Sequence, residues 1–170
     1  MSMKTQAIFA LTLAAAGALA AEAATPEADF ISRFGGSWSG SGTVIKGDVP
    51  FAVNCRATGA PAENQIAIRG SCSVAVVSMD IAADIAFDPS TGRYSGTYVG
   101  ARVGPAAISG KRAGDAVNLT ITWPEPVNGD TRARMRIENT GGGSLRIVVT
   151  DNTVPGGPDL TTHDLVLSQI

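Results

Sequence analysis

A two-residue alternation of apolar and polar side chains runs along most of this sequence, interrupted at short intervals by turn-forming residues, and it limits the possible folds more than any other feature. Met79, Ile81, Ala83, Ile85 and Phe87 alternate with Asp80, Ala82, Asp84 and Ala86, while Val117, Leu119, Ile121 and Trp123 alternate with Asn118, Thr120 and Thr122. Ala133, Met135 and Ile137 alternate with Arg132, Arg134, Arg136 and Glu138, and Leu145, Ile147 and Val149 keep the same parity. Successive side chains of a strand point to opposite faces, so each run reads as a strand with one dry and one wet face, the signature of antiparallel sheet. A helical period is confined to Pro26–Phe34.

Turn clusters separate the runs: Lys46-Gly47-Asp48, Gly59–Asn64, Asp88–Gly92, Gly110–Asp115, Val127–Asp130, Asn139–Gly143 and Pro155–Pro158. Gly and Asn supply positive φ and Pro fixes φ, so these are turns for stated conformational reasons. Nine or ten short strands with short links predict an all-β fold, an antiparallel meander closed into a small barrel. Glycine contributes 20 of 170 residues, above the usual ~7%. Turns and a tightly coiled barrel both need positions without a Cβ.

The N-terminus predicts export. Lys4 precedes an apolar stretch over Ala7–Ala21, and small residues sit at Ala18-Leu19-Ala20 and Ala21-Glu22-Ala23. That is the layout of a cleaved secretory signal over 1–23, followed by a lead-in over 24–36 and one barrel domain over 37–170. No later segment could cross a membrane as a helix. Export in turn decides how Cys55 and Cys72 read: in an oxidising periplasmic or secreted setting they are expected to form a disulfide. Phe51, Val53, Cys55 and Ala57 share one parity, and Ile66, Ile68, Gly70, Cys72 and Val74 another. A turn at Glu63-Asn64 sets the two cysteines opposite each other on one sheet face.

Charge narrows the partners. Thirteen Lys and Arg against 15 Asp and Glu leave a net charge of -2, which argues against a nucleic-acid partner. One His and two Cys exclude the usual structural zinc sites. Arg132, Arg134 and Arg136 share the outward parity with Arg146 on the next strand. The two readings of these guanidiniums are an anion-binding patch and a charged outer face that keeps the sheet in water. No nucleophile motif accompanies the single His, and Asp80 and Asp84 face outward, so no enzymatic activity is expected.

The first strand reads Gly36-Ser37-Trp38-Ser39-Gly40-Ser41-Gly42, behind a helical lead-in over Ala28–Gly35. This GxWxGxG pattern resembles the opening strand of nitrobindins and related lipocalin-like barrels. The whole chain looks like a calycin-type barrel and also resembles small exported alphaproteobacterial proteins of unassigned function. The resemblance implies that Trp38 closes one barrel end and that the glycines let the strand bend sharply. It also implies haem b as a conceivable cofactor, held by a His near the C-terminus. His163 is the only histidine, and Leu165 and Leu167 share its parity, so it would point inward and could ligate haem iron. The alternative is a histidine at the barrel mouth, hydrogen-bonded to Asp164 or a loop.

Two functions are therefore expected to compete. In the first, the barrel binds a small apolar ligand in an interior bordered by Trp38, Val117, Leu119, Ile121, Ala133, Met135, Ile137, Ile147, Val149 and His163, with room left by small residues such as Ala133 and Gly40. In the second, it is an envelope protein-interaction module with no small ligand. The Trp strand and Cys hairpin are similar to those of bacterial metalloprotease inhibitors, whose N-terminal segment, here Ala24–Phe34, plugs a protease cleft.

Overall fold

The computed structural model describes residues 26–170, so the predicted signal over 1–23 lies outside the described residues. Ten antiparallel strands follow one helix. Helix α1 is Pro26–Ser32, and the strands are β1 (Gly36–Lys46), β2 (Val49–Ala62), β3 (Gln65–Val74), β4 (Val77–Asp88) and β5 (Arg93–Val99), then β6 (Ala106–Ala113), β7 (Ala116–Val127), β8 (Asp130–Asn139), β9 (Ser144–Asp151) and β10 (Leu160–Gln169). Each strand pairs with the next, and β1 also pairs with β10, which closes the barrel and leaves no free edge.

The alternation predicted which face is buried. Ile121, Ala133 and Met135 are buried, and across the β7–β8 ladder Leu119 stands opposite Met135 and Ile121 opposite Ala133. The intervening Arg132, Arg134 and Arg136 are exposed. Cys55 lies directly opposite Cys72 on the β2–β3 hairpin and the two form a disulfide, with their Cα atoms 4.1 Å apart. Gly40 and Gly42 face β10 so closely that a Cβ on either would collide with the carbonyl oxygens of Val166 and Asp164. The glycines of the Trp strand thus permit the tight approach that closes the barrel.

Two turns run shorter than the composition suggested. β2 continues to Ala62 and β6 to Ala113, because small residues at Gly59 and Gly110 are accommodated within the ladder instead of ending it. The β3–β4 turn at Ala75-Val76 carries no Gly, Pro or Asn, and Ala75 takes a φ of 49° there.

In a meander, alternate turns lie at the same end. The β2–β3, β4–β5, β6–β7 and β8–β9 turns share one end with α1, and that end is sealed. Phe30, Ile31 and Phe34 turn into the barrel and are almost fully buried. Phe30 and Phe34 meet edge to face at 5.3 Å, and the Arg112 guanidinium lies 4.8 Å over the Phe30 ring. Trp38, 2% exposed, donates its indole N–H to the Phe34 carbonyl at 3.1 Å. Glu27 accepts from the Tyr94 hydroxyl and from Arg112 Nε. Arg33 pairs with Asp115 at 2.6 Å, and buried Asn139 donates to the Arg33 carbonyl at 2.9 Å. The opposite end, where the β1–β2, β3–β4, β5–β6, β7–β8 and β9–β10 links gather, has no comparable plug among the described residues.

Candidate functional site

The open half of the barrel holds a chamber of 390 Å³. Its wall is overwhelmingly apolar and comes from β1 to β5 and β8 to β10, reaching past the middle of the barrel: Val44, Phe51, Ile68, Val74 and Tyr98 on one side, Met135, Ile137, Ile147, His163 and Leu165 on the other. Cys72 borders it, so the disulfide braces the chamber wall. Ala82, Ala83 and Gly100 also line it, and they supply the space that Gly40 and Ala133 were expected to supply. The Gly40 position is filled by the β10 backbone, and Ala133 is enclosed in the core.

A second chamber of 310 Å³ adjoins the first and shares Val44, Lys46, Met79, Tyr98, Arg102 and His163 with it. It exists because of β7. Pro124 and Pro126 have no N–H to give to a ladder, so regular pairing of β7 with β8 stops at Thr122 and resumes only at Val127. Trp123, Pro126, Val127 and Val149 wall the space beneath this interruption.

The chambers differ in polarity. In the second, Asp151 is buried, and the lost hydration together with the nearby Asp130 and Asp159 raises its carboxyl to about 6. The Trp123 indole N–H lies close enough to favour the Asp151 carboxylate, yet it is 7% exposed and makes no hydrogen bond. Asn152 ties the mouth together: its carbonyl accepts from Asn128 Nδ2 at 2.7 Å and its side chain donates to Asp130 at 3.2 Å. Burial pushes the Tyr98 hydroxyl up to about 12, so the ring behaves as a neutral wall residue.

His163 stands where β10 slips register between Thr161 and His163. The slip lets buried Thr162 and His163 both border the second chamber. Thr162 donates its hydroxyl to the Val149 carbonyl at 3.3 Å and lies 3.1 Å from His163 Nδ1. The Thr162 hydroxyl thus holds the Nδ1 edge of the ring, and Nε2 has no hydrogen-bond partner among the described residues. Burial lowers the imidazole pKa, so the ring is held neutral. Asp164, the expected partner, instead faces out to Arg146 through two hydrogen bonds of 2.8 and 2.9 Å.

Of the expected interior residues, Met135, Ile137, Ile147 and His163 reach the first chamber and Val149 the second. Trp38, Val117, Leu119 and Ile121 point inward too, but they belong to the solid core in the closed half and in the middle of the barrel. Lys46, Phe51, Met79, Tyr98, Arg102, Trp123 and Asp151 border the chambers and were not foreseen. Among the arginines of the outer wall, Arg134 pairs with Asp159, Arg136 with Glu138 and Arg146 with Asp164. Only Arg132 of that set has no carboxylate partner among the described residues, so the face reads as a mesh of surface ion pairs. The segment that would plug a protease cleft is built into its own barrel through Phe30, Ile31 and Phe34.

Among the described residues, no helix is long and apolar enough to cross a membrane, and no group of three or more His, Cys, Asp or Glu could hold a metal ion. Neither a protein-family model nor a curated protein matches the chain. Among solved structures it is similar to Rv2717c from M. tuberculosis, with a TM-score of 0.66 and 15% sequence identity over 86% of this chain and 98% of that one. At that identity the likeness establishes a shared barrel fold.

Proposed function

We propose that this protein is an exported, soluble, non-enzymatic β-barrel that binds a small hydrophobic ligand in its open half. The observation that carries the reading is the apolar chamber of 390 Å³, which falls in the range of about 300–1,000 Å³ usual for small-molecule sites. A barrel with only a structural role gains by filling such a space with side chains, because interiors pack densely and voids forfeit contacts. Here the filling stops halfway, with alanine and glycine on the wall. The Cys55–Cys72 disulfide supports a periplasmic or secreted setting, in keeping with the signal-like N-terminus. Native mass spectrometry of protein recovered from an exporting host tests the reading. A retained apolar molecule, or stoichiometric uptake of an added fluorescent apolar probe, is the expected result, and a protein that carries and takes up nothing overturns it.

His163 favours a second reading, haem binding, in line with the nitrobindin-like features of the Trp strand. A neutral imidazole held at Nδ1 and set in the wall of an apolar cavity suits the chemistry of an axial haem ligand. Bound haem would supply an iron centre, and the residues around His163 would orient the imidazole and exclude water. Added hemin would then give a Soret band that His163→Ala abolishes, and an unchanged spectrum ends this reading. The protein-interaction alternative, in which the lead-in plugs a protease, gains less support, because the apolar side chains it would insert are committed to sealing the barrel.

A further inference from the structure

Resting on the ligand-chamber reading, we propose that the ligand is an amphipathic carboxylate, with its apolar body in the chamber and its acid head at the mouth between Lys46 and Arg102.

Within the first chamber these two are the charged wall residues, and both also border the second. Of the twelve described Lys and Arg residues, six are ion-paired and six are not. Six arginines, including every guanidinium of the outer sheet except Arg132 among those at 132, 134, 136 and 146, sit within 4 Å of a carboxylate. Lys46 and Arg102 are two of the six described cations with no ion pair or side-chain hydrogen bond, and of those six they are the two that border the chambers. They come from separate links of the same end, Lys46 at the close of β1 and Arg102 in the β5–β6 loop, so the topology converges two unpartnered cations on one apolar opening. Low-dielectric walls focus the field of such charges on what enters. An acid head there gains two charge-assisted contacts while its body leaves water, whereas a neutral head gains neither. The buried Trp123 N–H, without a hydrogen-bond partner, adds a donor in the adjoining chamber, and Asp151 adds a carboxyl that disfavours a second acid group there. One acid head at the Lys46–Arg102 side therefore fits better than a dianion spread over both chambers.

The experiment compares acid and neutral forms of two differently shaped bodies on the full folded chain: dodecanoate against dodecanol, and protoporphyrin IX against its dimethyl ester, by displacement of a fluorescent apolar probe. For whichever body enters, the acid is expected to bind roughly tenfold tighter than its neutral partner, as two exposed ion pairs allow. That preference should shrink in high salt and vanish in Lys46→Gln/Arg102→Gln, while Arg132→Gln on the outer wall leaves it intact. Both changes are at exposed side chains, and circular dichroism checks that the barrel remains. Equal binding of acid and neutral forms, or a preference that survives the double substitution, overturns this proposal while leaving the apolar chamber standing. Failure of every probe to bind overturns the chamber reading and this proposal together.

Discussion

The two ends of the barrel obey opposite rules. At the sealed end the polar groups around the plug are partnered: Glu27 serves both Tyr94 and Arg112, Trp38 serves the Phe34 carbonyl, and Asn139 and Arg33 exchange hydrogen bonds around three buried apolar residues of the lead-in. At the open end Lys46 and Arg102 lack partners, Trp123 Nε1 is buried and unsatisfied, and Asp151 is buried as an acid. Apolar side chains there stand in water, with Val77 at 58% and Val49 at 53% exposure. Satisfied groups and dense packing stabilise, whereas unsatisfied groups and empty volume cost stability and are tolerated where a ligand can repay them. One half of the barrel is packed to hold itself together, and the other leaves an apolar chamber that the proposed ligand would fill.

The largest expected effect tests that contrast through packing. Trp38→Ala should lose ~3–5 kcal/mol in urea unfolding, whereas Phe51→Ala, on the exposed chamber rim, should lose under ~1 kcal/mol. Similar losses would erase the distinction between the ends. Next comes the brace between them: Cys55→Ala/Cys72→Ala should cost ~2–4 kcal/mol and weaken probe binding, because Cys72 borders the chamber.

The third effect is pH dependence. The Asp151 carboxyl is raised from its ordinary 3.8 to about 6. Between those values the folded chain holds a proton that the unfolded chain has lost, so the contribution of Asp151 to stability falls as pH rises from about 4 to 6 and stays low above that. Water at the mouth screens the effect, which should amount to ~1–3 kcal/mol. Asp88 and Asp164 are lowered by hydrogen bonds and titrate with the opposite sign below 4, so the comparison is between proteins and not between pH values alone. Asp151→Asn should match the wild type in Tm near pH 4 and exceed it at pH 7; a constant difference across that window would remove Asp151 from the account. Smallest is a local correction at the open end: Ala75→Gly should raise stability by ~0.5–1 kcal/mol, because Ala75 occupies a left-handed φ of 49° that suits glycine better.

Much of the sealed half was legible in the sequence. Alternation assigned Val117, Leu119, Ile121 and Met135 to the interior, and parity brought Cys55 opposite Cys72 across a turn at Glu63-Asn64. The Trp38 strand pointed to a barrel closed at one end. Depth was harder to read, because parity states which face a side chain takes and says nothing of how far along the barrel it lies. Val117 and Leu119 were therefore grouped with Ile147, which borders the first chamber while they do not. Knowing that Trp38 seals one end, and that alternate turns share an end, would have directed attention to Lys46, Phe51, Met79 and Tyr98, near the far ends of their strands. Two other signals went unread. Pro124 and Pro126 announce the break in the β7 ladder that opens the second chamber, and Ala75-Val76 turns without any residue that favours turning. The β10 slip at Thr162 has no composition cue, so the pairing of His163 with Thr162 instead of Asp164 required the three-dimensional register.

The account stands or falls on whether the open chamber accepts an apolar guest. Titration of an apolar fluorescent probe into wild type and Ala83→Phe measures this directly, since Ala83 lies on the chamber wall and a phenyl ring there occupies the space. The account predicts saturable one-to-one binding to the wild type, lost in Ala83→Phe while the thermal transition is kept. Absence of binding to the wild type, or binding that the added ring leaves unchanged, would contradict it.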